Sequence, residues 1–171
     1  NRYRAGELDY TYEIPNKKFR WVQENLQDEL KIHPYMGIYY YGFNLTRPPF
    51  KGNKKLRQAL SLAIDRHVIT DKITGTGEKP AYSWVPEVFS NYPSQSLSYK
   101  DLSRKEQIAM ARRLYQEAGY SGAKPLALEL RYNTSENHKK IAIAVAAMWK
   151  QVLGVKTGLV NEEWKVFLKN R

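Results

Sequence analysis

Side chains able to do chemistry are few in this sequence, and their spacing limits what they could do. The three histidines, His33, His67 and His138, fall in no HxH, HExxH or HxxxH pattern, and with no cysteine present a zinc site would have to gather distant residues. His33 and His67 read as surface residues. Gly75-Thr76-Gly77 offers two glycines but no third at the required spacing and no Lys-Ser/Thr pair after them, so it is not a phosphate loop. Thr134-Ser135 precedes a helical pattern without the GxSxG of a nucleophile elbow, and a capping role explains Ser135 fully. Glu162 and Glu163 are adjacent, point to different sides of a helix and carry no acid/base signature. The expectation is no catalytic residue, no metal site and no cofactor.

Tyrosine is the exception. Thirteen are present, with Tyr39, Tyr40 and Tyr41 consecutive and Tyr35 four residues before them. On an extended chain Tyr39 and Tyr41 share one face and Tyr40 takes the other, so packing against a core accounts for one face at best. Tyrosine supplies broad apolar contact and a hydroxyl at low entropic cost, as a cleft for a polar, variable ligand requires. An ordinary aromatic sheet is the alternative, since aromatics favour strands.

The elements that would position these side chains follow from pattern. Residues 2–5 read as the end of a short helix that turns at Gly6 into a strand from Leu8 to Tyr12. Pro15 suits a first helical turn, and Phe19, Val22 and Leu26 give an apolar stripe ending near Asp28. Leu30 to Asn44, broken by Pro34 and Gly37, predicts two short extended segments. Asn53 caps a helix carrying Leu56, Ala59, Leu60, Ala63 and Ile64, and Asp65 starts another through Ile69 and Ile73. Residues 75–98 have no usable period and read as a functional or wrapping loop. Ser103 and Glu106 form a capping box ahead of the Ile108, Ala111, Leu114, Tyr115 and Ala118 stripe, closed by Gly119. Leu126–Tyr132 and Val155–Val160 read as strands flanking a helix from Glu136 to Leu153, capped by Ser135 and closed by Gly154. That βαβ unit predicts a parallel pair with a right-handed crossover and a mixed α/β (α+β) fold.

Composition bounds the rest. A chain of 171 residues with 42% hydrophobic and 26% charged side chains can build one sizeable core, burying about 70% of its unfolded surface. Lacking cysteine, it has no disulfide framework, thiolate metal site or CxxC redox motif. The net charge of +11 is spread over pairs such as Lys17-Lys18, Lys54-Lys55, Arg112-Arg113 and Lys139-Lys140, interleaved with acids, so it reads as solvated helix faces with no nucleic-acid partner. The apolar run Ile141–Trp149 is far shorter than the roughly 20 residues of a bilayer span. The chain opens without Met or an apolar leader and closes on a helix barely begun at Trp164–Arg171, which suggests a piece of a longer protein.

Four segments in the same order carry a resemblance: Tyr3 to Asp9 (YRAGELD) leading to Tyr12; His33 to Asn44 (HPYMGIYYYGFN); Phe50 to Arg66 (FKGNKKLRQALSLAIDR); and Tyr132 to Lys140 (YNTSENHKK). Together they resemble the family 5 extracellular solute-binding proteins, most closely the periplasmic oligopeptide-binding components of ABC importers and their murein-peptide-binding relative. The resemblance covers essentially the whole chain. It implies part of a bilobed fold of the type II periplasmic-binding kind, with residues 1–29 ending the first lobe, 30–44 forming crossing or hinge strands, and 45–171 opening the second, peptide-binding lobe. It implies short peptides as ligands, held between two lobes without cleavage, a membrane ABC permease as partner, a monomer, and a periplasmic or lipid-anchored outer-surface location. The ligand-binding residues it implies are Tyr12, Tyr35, Tyr40 and His138, the last near the peptide's carboxyl end. His138 stands three residues after the cap Ser135, in a first helical turn where an anion is favoured. Gly42 departs from an acidic residue of close oligopeptide binders, and Gly37 from a cysteine of some. A solute-sensing domain fused to a DNA-binding regulator is the alternative function.

Overall fold

A computed structural model describes residues 1–12, 14–93 and 95–170. Helix boundaries fall where capping chemistry puts them. Asn53 Oδ1 accepts from the Leu56 amide at 3.1 Å to begin α2 (Lys54–Ala63), after α1 (Asn16–Asn25), which follows Pro15 and ends three residues short of Asp28. Asp65 caps the short α3 (Arg66–Val68), which widens into a π-helical turn over Ile69–Thr74. Ser103 and Glu106 complete the reciprocal capping box of α4 (Arg104–Glu117). Ser135 caps α5 (Glu136–Leu153), which stops at Gly154 with φ 73°, a left-handed value that costs glycine nothing.

Strands β1 (Ala127–Asn133) and β2 (Lys156–Glu162) flank α5 and pair in parallel, with Ala127 opposite Lys156 and Asn133 opposite Glu162. The βαβ reading is thus borne out in order and in strand direction. α6 (Trp164–Asn170) follows β2, with Arg171 outside the described residues. The core lies among α2, α4, α5 and this sheet: Leu56, Leu60, Leu62, Val145 and Val155 are fully buried. Polar groups join the layers. Trp149 Nε1 donates to the Leu60 carbonyl at 2.9 Å, and Asn53 Nδ2 donates to the Ala118 carbonyl at 3.3 Å. The Arg104 guanidinium donates to the Leu62 and Ala63 carbonyls at 2.8 and 2.6 Å, satisfying the last groups of α2 where a cation also suits the helix dipole.

Two expectations are corrected. Leu8–Tyr12 is a strand in the sequence reading but an exposed bend in the structure, following a 3₁₀ turn at Tyr3–Ala5. Residues 30–44, read as short strands from the sequence, join no ladder and run as an unpaired strap. In both cases no neighbouring strand among the described residues takes up the backbone N–H and C=O groups, and apolar alternation without a partner does not make a strand. The 75–98 stretch is irregular as expected, Ser94 lying outside the described residues.

Candidate functional site

The strap 30–44 places its aromatics by simple alternation. Tyr39 and Tyr41 meet edge to face with ring centres 5.7 Å apart and hydroxyls 3.4 Å apart. Tyr41 and Phe43 are half-buried against the core. Tyr40 points the other way, and its ring lies 4.6 Å from that of Trp84 in the 75–98 loop. Burial, above all, pushes the Tyr41 phenol well beyond the ordinary tyrosine range, with Tyr39's hydroxyl adding to it. Burial also raises Tyr39, against the hydrogen bond with Tyr41. Both phenols therefore stay protonated across the physiological range.

His138 joins this cluster from α5. Its backbone N–H points to the Ser135 hydroxyl at 3.5 Å, and its ring lies 5.3 Å from that of Tyr39. Nδ1 stands 3.3 Å from the Asn133 carbonyl oxygen, to which a protonated Nδ1 donates. That contact orients the imidazole and leaves Nε2 as the nitrogen for another partner. Alongside, Asn137 Nδ2 donates to Asn16 Oδ1 at 3.0 Å, tying the first turn of α5 to the start of α1. The histidine thus lies beyond the C-terminal end of β1, the end at which open α/β folds place their ligands.

The remaining expected residues are more scattered. Tyr35 is 77% exposed, and its ring lies over Gly37, where an added Cβ would come within 2.7 Å of it. Tyr12 sits on the exposed bend at 8–12 and is itself 73% exposed. Two residues that the sequence reading did not single out as ligand contacts complete the geometry: Tyr39, the direct neighbour of His138, and Trp84, the partner of Tyr40. Trp84 stands in an aperiodic loop, so its one signal in sequence was an aromatic among Gly, Pro and Ser.

Trp84 is positioned by the base of its loop. The Arg66 guanidinium stacks over Tyr82 at 4.9 Å and donates to the Ala81 carbonyl at 2.9 Å and the Ser61 hydroxyl at 3.0 Å. The Leu97 amide closes the loop on the Tyr82 carbonyl at 2.7 Å. Ser83 Oγ donates to the Val85 carbonyl beside Trp84. Among the described residues no group of three or more His, Asp or Glu could hold a metal ion.

The sequence model of the bacterial extracellular solute-binding proteins, family 5 Middle, matches residues 1–171. The chain belongs to this family. It is 42% identical over 170 residues to the periplasmic murein peptide-binding protein MppA of Escherichia coli, covering 99% of this chain and 32% of that one. The periplasmic oligopeptide-binding protein OppA of Salmonella typhimurium is 41% identical over 172 residues, with 100% and 32% covered. The solved structure of the Escherichia coli murein tripeptide binding protein MppA superposes with a TM-score of 0.89 at 42% identity, over 99% of this chain and 33% of that one. Haemophilus influenzae OppA, solved in complex with RPPGFSPFR, gives a TM-score of 0.83 at 38% identity, with 99% and 34% covered. The fold is therefore the mixed α/β one of the bilobed periplasmic-binding proteins, and the chain spans about a third of the length of the curated relatives it matches.

Proposed function

We propose that the protein containing this chain binds short peptides, oligopeptides or murein peptides, and presents them to a membrane ABC permease for import without chemical change. Family membership over the full chain supports this reading, and the observation that carries it is the strap of tyrosines running beside the oriented His138 at the start of α5. In this account residues 1–29 end a first lobe, 30–44 cross between lobes, and 45–171 open the second. The strap lacks a ladder of its own, which suits a crossing segment. In the same account the protein acts as a monomer, and its location is the periplasm, which the names of its relatives MppA and OppA support.

The chemistry is recognition alone. Tyr12, Tyr35 and Tyr40 supply exposed rings and hydroxyls to the peptide, with Tyr39 beside them. His138 Nε2 takes the peptide carboxylate: in the doubly protonated ring Nδ1–H donates to Asn133 and Nε2–H to the ligand, a charge-assisted pair. The positive end of α5 adds to the attraction. Closure of two lobes over the peptide then excludes water from these contacts. Mass spectrometry of small molecules released by denaturing the purified full-length protein tests the ligand class. Short peptides are expected, in smaller amount from a Tyr40→Ala, His138→Ala variant. A released pool without peptides contradicts the reading.

A further inference from the structure

The strap has a second side. Opposite the Tyr39–Tyr41 face, a groove of about 450 Å³ runs between residues 36–38 and the 84–92 part of the loop, lined chiefly by Met36, Ile38, Trp84, Val85, Phe89 and Tyr92. Asn91 is the one amide side chain in its lining, and no charged side chain contributes. Trp84 and Met36 are 66% and 68% exposed.

We infer that this groove is a side-chain subsite that takes one large apolar or aromatic side chain of the bound peptide, with Trp84 as its specificity-determining residue. The inference rests on the peptide-binding reading and adds which peptides are preferred. Three observations support this occupant. First, the groove is continuous with the strap: Ile38 lines it and Tyr40, two residues on, meets Trp84 at 4.6 Å, so a peptide lying against the Tyr40 side of the strap passes its mouth. Second, its size suits the guest, since an apolar cavity of about 150 Å³ already accepts benzene and this one is about three times larger. Third, the wall is preformed, because Arg66 clamps the loop base through Tyr82 and Ala81, and Lys100 pairs with Glu87 at 3.2 Å. A preformed wall spares the ordering cost that binding otherwise incurs. A charged guest would lose water here without finding a counter-charge.

The test uses the full-length protein and tripeptides in which each position in turn is Ala, Phe or Lys. Wild-type protein is expected to favour Phe over Ala at one position by about 10- to 100-fold, the range for a few methylenes in an apolar pocket. Trp84→Ala is expected to abolish that preference, and Trp84→Phe to restore most of it. If peptides bind but Trp84→Ala weakens all of them equally, or lowers only thermal stability, the groove is covered by the protein itself. The subsite is then wrong and the peptide reading stands. If no peptide binds at all, both fall together.

Discussion

His138 shows how a single side chain acquires a role from its surroundings. Its backbone is spent on the Ser135 cap and its Nδ1 on the Asn133 carbonyl, so one nitrogen remains for a ligand beside the Tyr39 ring. Replacing His138 by Ala in the full-length protein is expected to weaken peptides with a free carboxylate by about tenfold or more, the worth of a charge-assisted hydrogen bond. Peptides amidated at that end should change little, and titration calorimetry on the matched pair reads the difference. Equal losses for both would mean that the ring packs and does not bind the carboxylate. The expectations at Tyr40 and His138 came from a resemblance, whereas Tyr39 became visible as their companion only through space. Alternation alone puts Tyr39 and Tyr40 on opposite faces of an extended chain and does not say which face a ligand uses.

At the scale of elements, caps and apolar stripes were legible and pairing partners were not. Asn53, Asp65, Ser103, Ser135 and Gly154 act at the helix ends where their types predict, since capping is a contact within a few residues. The 8–12 and 30–44 segments have equally good local signals for strands and form none, because a ladder depends on a distant neighbour. The π-helical turn at Ile69–Thr74 likewise had no local signature that separated it from an ordinary helix. The α4 capping box gives a pH prediction. The Ser103 hydroxyl, chiefly, and the Ser103 backbone N–H hold the Glu106 carboxyl below its ordinary value of 4.5. A depressed folded value means that the stabilisation is fully present above the ordinary carboxylate range and disappears as pH falls through the lower folded value. Urea midpoints measured from pH 7 down to pH 3 should therefore fall less in Glu106→Gln than in the wild type. Identical profiles would remove the box from the acid response. In the core, Leu60→Ala is expected to cost about 2–5 kcal/mol, read from the same midpoints, since it opens a cavity at a fully buried position.

Across the whole molecule, the sheet among the described residues has two strands, and several large apolar side chains, including Tyr10, Tyr12, Tyr35 and Trp84, are largely exposed. These features suit one wall of a cleft more than a finished site. The net charge of +11 belongs to this chain, about a third of the length of its relatives, and gives no reason to expect a polyanionic partner. Residues 1–171 alone should accordingly bind peptides at least about 100-fold more weakly than the full-length protein, since enclosure contributes much of small-ligand affinity. The most direct test of the account is calorimetric titration of the full-length protein with a mixed pool of di- to pentapeptides. Saturable binding at micromolar Kd or tighter is expected, an order of magnitude typical of specific ligand sites at about −8 kcal/mol, and absence of both heat and thermal stabilisation would contradict it.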